Sequence, residues 1–288
     1  MAEEASDAVV EPQVLSLELM KPALKGLART VDGTGFALTH LEIQGKNIGD
    51  ISALALYTHI RYLDLSTNEI TDLKPLQGLD HLLSVNLSKN RIASLELPAL
   101  QFLQVLDLSN NALTEILDMA LPLLKTLLLN DNQIAAVGGL ESHPVLSTLE
   151  LHNNKLTTCA GLGLGTLEKL TLTGNELADV KGLEGLLLVE ELDLSNNKIA
   201  DLEGLPKTGI LKKLILRTNE IEKVEDLDKL AGVALENLDL TDCTKLGDVD
   251  RVKAVRRVPT LKMLNDAVVA DETRAAAAEP EEAPPPAE

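Results

Sequence analysis

Residues 189–199 read VEELDLSNNKI, and residues 211–221 read LKKLILRTNEI. Both follow the template L-x-x-L-x-L-x-x-N-x-I, with Val189 in place of the first leucine. Between the two stretches, Asp193 and Ser195 give way to Ile215 and Arg217. The same template begins at Leu38, Ile60, Leu82, Leu103, Leu124, Leu146, Leu167, Val189, Leu211 and Leu235, with successive starts 21 to 24 residues apart. A period held over ten copies is the mark of a repeat array, in which each unit buries its apolar face against the next.

Each template position has a physical task. In LTHLEIQGKNI (38–48), Leu41 and Ile43 alternate with Glu42 in the period-two pattern of a short strand with its leucines turned inward. The ninth-position asparagines are Asn68, Asn90, Asn111, Asn132, Asn154, Asn175, Asn197 and Asn219. They stand where the chain leaves the strand, and a side-chain amide there both donates to and accepts from backbone groups that lose their ladder. Lys46 and Cys243 replace asparagine in the terminal copies. The connecting stretches, such as TDLKPLQGLDHLL, space apolar residues about three apart and are broken by Gly and Pro, which suits 3₁₀ turns. The expected fold is an α/β solenoid, a leucine-rich-repeat horseshoe with a parallel sheet on its concave face, short 3₁₀ turns on its convex face and helical caps.

The expected organisation follows the composition. Residues 1–15 form an acidic tail, and 16–37 a helical cap in which Leu17, Met20, Leu24, Leu27 and Val31 share one helix face. Residues 38–247 hold the ten repeats. A C-terminal cap covers 248–266, with Val252, Val255, Val258, Leu261 and Leu264 at helical spacing, and the Ala-, Pro- and Glu-rich stretch 267–288 has almost nothing to bury and reads as disordered.

A net charge of −19 argues against nucleic acid and anionic membrane as partners, since both require Lys and Arg to neutralise phosphate. No secretory signal or membrane span is read from the chain, and other proteins are the expected partners. Cys159 and Cys243 lack metal-site spacing and read as reduced thiols. The histidines His40, His59, His81, His143 and His152 are expected at the surface, without metal-ligand spacing. GLGLGT (161–166) lacks the Lys-Ser/Thr ending of a phosphate loop, and NDNQ (130–133) lacks the glycine and distant glutamate of a calcium loop. No catalytic set emerges, no cofactor is expected, and the chain reads as a non-enzyme.

The third, fifth and seventh template positions point out of the concave sheet, where a partner is expected to bind. The fifth-position column runs Glu42, Asp64, Asn86, Asp107, Leu128, Glu150, Thr171, Asp193, Ile215, Asp239. From Asn86 onward an acid alternates with a non-acid, spacing carboxylates by roughly 10 Å, which reduces their repulsion. Ile215 then reads either as a spacer or, with Leu128, as an apolar anchor for a partner. Lys213 and Arg217 read either as counter-charges to this acidic neighbourhood or as groups that pair with a partner's carboxylates. Tyr62 and His152 complete the candidate face, on which Tyr62 is the one aromatic of the fifth, third and seventh columns.

A narrower resemblance lies at residues 19–87. LMKPALKGLARTVDGTGFALTHLEI, followed by IGDISALALYTHIRYLDLSTNEITDLKPLQGLDHLLSV, resembles the leucine-rich repeat-containing protein 23 family of ciliary radial-spoke components. It rests on the lid, on Tyr57, His59, Ile60, Arg61 and Tyr62, and on the Thr-Asp-Leu, Pro-Leu and His-Leu-Leu elements of 71–83, all outside the generic leucine pattern. The resemblance implies a non-catalytic structural subunit of the axoneme, within a large complex of other radial-spoke subunits in cytoplasm and cilium or flagellum. The alternatives are a regulatory subunit of a Ser/Thr phosphatase, whose family uses the same 22-residue repeat type, and a nuclear adaptor in a spliceosomal particle.

Overall fold

The structure, a computed structural model, describes residues 11–243, 246 and 249–279. The chain divides into two compact units, Met1–Leu113 with Met119–Leu128, and Thr114–Asp118 with Leu129–Glu288.

Each unit carries one strand per repeat. In the first unit, Phe36–Glu42, Tyr62–Asp64, Ser84–Asn86, Val105–Asp107 and Thr126–Leu128 pair in parallel, in chain order, with His40, Tyr62, Ser84, Val105 and Thr126 in register. In the second unit, Thr148–Glu150, Lys169–Thr171, Glu191–Asp193, Lys213–Ile215 and Asn237–Asp239 do the same. The middle residue of each three-residue strand, Leu63 to Leu127 and Leu149 to Leu238, is buried, while its two neighbours face outward. The period-two pattern of the sequence is therefore realised with leucines inside. Connections fold back through 3₁₀ turns at Ser52–Leu56 and Lys74–Leu76 in the first unit and at Leu140–Ser142 and Val224–Leu230 in the second.

The asparagines hold the stack together. In the first unit Asn90 donates through Nδ2 to the carbonyls of Leu65 and Leu87 and accepts the Ile70 N–H at 3.0 Å. In the second, Asn197 donates to Leu172 and Leu194 and accepts from Leu177, and Asn219 repeats this with Leu194, Leu216 and Ile199. One amide thus joins the backbones of two repeats. The residue before each asparagine is left-handed: Thr67, Lys89, Asn110, Asp131, Asn153, Asn196 and Thr218 have φ between 54° and 58°, Gly174 before Asn175 has φ 70°, and Asp242 before Cys243 has φ 60°. That conformation turns the chain out of the strand, and Asn, Asp and Gly tolerate it best. Cys243 takes the asparagine place by donating its thiol to the Leu216 carbonyl at 3.3 Å, and burial pushes its pKa up.

The ends differ from the expected helices. A helix spans only Leu17–Ala23, capped by the Ser16 hydroxyl. Gly26, at φ +68°, cannot continue it, and Leu24–Arg29 instead pairs antiparallel with Phe36–Glu42 as a hairpin. The expected helical cap over 16–37 is thus a short helix followed by a hairpin strand. Downstream, the helix Arg251–Arg257 stops before Pro259, and Leu261 and Leu264 are buried as an eleventh repeat strand, Met263–Leu264, in parallel register with Asn237 and Leu238. Asn265 and Asp266, at φ 51° and 57°, then make a two-residue turn into the antiparallel strand Ala267–Val268.

The stretch 267–279, expected to lack structure, is folded. It ends in the helix Asp271–Ala278, held by Arg256, which donates to the carbonyls of Ala276, Ala277 and Glu279, and by Arg274, which donates to those of Pro259 and Leu261. Alanines bury little, so this contact rests on guanidinium hydrogen bonds that composition does not reveal. Residues 1–10 of the acidic tail and 280–288 lie outside the described residues.

Two stability measurements check this account. Asn197→Ala strands the buried Leu177 N–H and takes one of two asparagine donors from each of the Leu172 and Leu194 carbonyls, so urea denaturation is expected to show a loss of about 1–3 kcal/mol. Truncation after Ala270 removes the helix that Arg256 and Arg274 hold, and is expected to lower the melting temperature by the equivalent of about 1–2 kcal/mol. An unchanged melting temperature would mean that the helix contributes nothing to the cap.

Candidate functional site

In the first unit, Tyr62, Asp64, Asp107 and Leu128 come together around a shallow hollow of about 320 Å³, with Glu42 and Val105 at its margins. Tyr62 is exposed and stacks on His40, ring centroids 4.4 Å apart. Asp64 accepts from the Gln44 amide at 2.6 Å and the Asn86 amide at 3.3 Å. Leu128 is half-buried beside Asp107, its partner in register.

In the second unit, Asp193, Lys213, Ile215, Arg217 and Asp239 line a hollow of about 700 Å³, closed at one side by Met263 and Asp266 of the terminal hairpin. Ile215 lies in register between Asp193 and Asp239 and is half-buried. The Lys213 ammonium meets Glu191 at 2.5 Å. Glu150 is held by Lys169 and by the Asn130 amide at 2.8 Å, and these bonds outweigh burial to keep its pKa below the ordinary value. His152 lies 3.5 Å from Asp131.

Most acids of the column serve the backbone of their own repeat. Asp64, Asp107, Asp193 and Asp239 each accept the N–H of the residue two positions on, Ser66, Ser109, Ser195 and Thr241, at 2.9–3.0 Å. Positions five and seven are therefore coupled, and the signal was in the sequence as D-L-S and D-L-T. Ile215 cannot make that bond. Its seventh-position partner, Arg217, instead donates to Asp239 at 2.5 Å and to Asp266, tying the last full repeat to the terminal hairpin. Burial pushes the Asp239 carboxyl up, but the Arg217 guanidinium and the Thr241 hydroxyl and amide pull harder and leave it below its ordinary value.

Other sequence candidates separate from these faces. His143, expected at the surface, is 2% exposed, because the Leu140–Ser142 turn carries it inward; the other four histidines are half-buried or exposed. GLGLGT packs backbone against backbone, since a Cβ on Gly163 would lie 2.5 Å from the Gly182 carbonyl oxygen. Burial pushes the Cys159 thiol up to about 12, and its Sγ sits 3.7 Å from the Asp179 carbonyl. Among the described residues no three His, Cys, Asp or Glu side chains are placed to hold a metal ion, and no helix is long and apolar enough to cross a membrane.

Models of leucine-rich repeats match residues 166–207, as two copies, and residues 58–73 and 102–122. With the stacked strands and the asparagine ladder, these define a leucine-rich-repeat protein-interaction scaffold. Within that class the chain is homologous over about half its length to leucine-rich repeat-containing protein 23. It is 34% identical to the Homo sapiens protein over 136 residues, 47% of this chain and 40% of that one. It is 35% identical to the Bos taurus protein over 133 residues, 46% and 39% of the two chains. The match thus spans about two fifths of the length of these relatives. Among solved structures, a leucine-rich-repeat protein of Leptospira interrogans shares the fold with TM-score 0.60 and 22% identity over 78% of this chain and 65% of that one. An internalin of Listeria monocytogenes does so with TM-score 0.54 and 18% identity over 86% and 89%.

The Arg217–Asp239 pair predicts an acid-side stability limb. Because the folded pKa of Asp239 lies below its ordinary 3.8, its contribution is complete above that pH and is lost as pH falls through the folded value. Arg217→Met is expected to flatten that limb, measured by urea denaturation across pH 2–7.

Proposed function

We propose that the chain is a structural subunit of the axonemal radial spoke, located in the cytoplasm and in the cilium or flagellum, which binds neighbouring spoke proteins on its outward sheet faces. The similarity to leucine-rich repeat-containing protein 23 carries this reading. The residues that distinguish that resemblance from the generic template also have a defined place here. The Arg61 guanidinium donates to the Arg29 carbonyl at 2.7 Å, and Tyr62 stacks on His40, so both fasten the N-terminal hairpin to the first repeats. Leu128 in one unit and Ile215 in the other supply aliphatic contacts on these faces, with Tyr62, Asp64, Asp107, Glu150, His152, Asp193, Lys213, Arg217 and Asp239 around them. A phosphatase-regulatory role would call for aromatic as well as acidic anchors, and Tyr62 is the one tyrosine, phenylalanine or tryptophan at the third, fifth and seventh template positions of the repeats.

The protein is expected to sediment with demembranated axonemes and to leave them in chaotropic salt together with radial-spoke proteins. Recovery in cytosol, stoichiometric with a phosphatase catalytic subunit, would contradict this. Ile215→Thr is conservative for the fold, since Thr171 fills the equivalent place between Glu150 and Asp193. If Ile215 anchors a partner, Ile215→Thr is expected to weaken binding to isolated spokes by about 1–2 kcal/mol, with an unchanged melting curve.

A further inference from the structure

One junction between repeats of the second unit departs from its neighbours. Within each unit, the amide of the second template residue donates to the carbonyl of its counterpart one repeat earlier: Lys125 to Gln104 at 2.9 Å in the first unit, and Glu168 to Ser147, Lys212 to Glu190 and Glu236 to Lys212 at 2.8–2.9 Å in the second. Between Glu190 and Glu168 that bond is missing. The strands Lys169–Thr171 and Glu191–Asp193 are registered through Thr171 and Asp193 alone, whereas the pairs on either side register three residues. On the connecting segments the same two repeats are pressed together, and a Cβ on Gly185 would lie 2.1 Å from the Gly163 carbonyl oxygen. The repeats pinch at their glycines and splay where their strands begin.

The splay opens a notch of about 630 Å³ lined by Glu168, Lys169, Thr171, Leu188, Glu190 and Glu191. Leu188, which lines it, is 48% exposed, and its chain neighbour Leu187 is 51% exposed. Its charges are unevenly matched. Lys169 is engaged by Glu150 and Glu191 by Lys213, and elsewhere in the unit Glu176, Asp201, Glu236 and Asp239 each have a cationic partner. Glu168 and Glu190, at the same template position in adjacent repeats, both line the notch and make no ion pair among the described residues. Two like charges on one hollow repel and attract a cation from outside. The Glu168 carbonyl, without its ladder donor, adds a third acceptor.

We propose that this notch docks an arginine flanked by aliphatic residues on a protein partner. A guanidinium presents five donors in a planar fork, enough to reach both carboxylates and the Glu168 carbonyl together, while a lysine offers a compact point charge. The arginine methylenes lie along Leu188, and the flanking aliphatic side chains cover Leu187. The inference rests on the protein-interaction reading, and it is independent of whether the partner is a spoke protein.

The test is a titration of N-acetyl-Leu-Arg-Leu-amide into the full-length protein carrying methyl-labelled leucines, followed by NMR. Saturable shifts confined to the Leu187 and Leu188 methyls are expected, weaker by roughly tenfold in affinity when lysine replaces the arginine, and abolished in Glu168→Gln/Glu190→Gln. That variant removes a repulsion and is expected to melt no lower than the wild type; Glu168→Gln alone gives an intermediate affinity. Absent or non-saturating shifts, or equal shifts in the charge-removed variant, overturn the proposal. A protein that fails this titration yet sediments with axonemes loses the notch and keeps the spoke assignment.

Discussion

The structure depends on a buried side-chain amide that spans two repeats. Where a strand of three residues ends, its backbone groups have neither helix nor ladder to satisfy them, and leaving each one unpaired in an apolar interior costs about 1–3 kcal/mol. The ninth-position asparagine resolves this by accepting an N–H from the repeat before it while donating to carbonyls in both. The bond fixes repeat against repeat, so the outward positions fall into columns. It also requires the left-handed residue ahead of it, for which even Thr67, Lys89 and Thr218 are recruited at some conformational cost.

Those columns give the acidic chain its surface chemistry, but much of that charge is spent internally. Asp64, Asp107, Asp193 and Asp239 close turns at their own strand ends, and Lys169, Lys198, Lys213 and Lys262 neutralise Glu150, Glu176, Glu191 and Glu236 one repeat away. The change from Asp193 and Ser195 to Ile215 and Arg217 follows the same economy. Losing the local cap at position five frees position seven to hold the terminal hairpin through Asp239 and Asp266. What remains open to a partner is what the array does not use: the half-buried Leu128 and Ile215, and the acids at the splayed junction.

The central repeats were legible because leucine period and asparagine position encode strand, burial and ladder directly. The ends were not. The helical spacing of Leu17, Leu24, Leu27 and Val31 is equally compatible with a helix that stops at Ala23 and becomes a hairpin strand, in which Gly26 takes a positive φ that no helix holds. The eleventh strand was hidden by the 26 residues from Leu235 to Leu261, longer than any earlier interval. His143 is polar in a place that turn geometry buries. The column of outward residues was readable from period alone, and its D-L-S coupling was readable in principle. The splayed junction was not, since it arises from Gly163 meeting Gly185 across repeats and from the absence of one hydrogen bond.

The claim that an asparagine ladder fixes the repeats, with one opened junction in the second unit, is tested most directly by residue-resolved amide hydrogen exchange on the folded protein. The Glu168, Lys212 and Glu236 amides, each donating to the preceding repeat, are predicted to exchange slowly, with protection approaching that of global unfolding, while Glu190 exchanges at close to the rate of an unprotected amide. Protection of Glu190 equal to that of Lys212 would show that the junction is closed and would contradict the account.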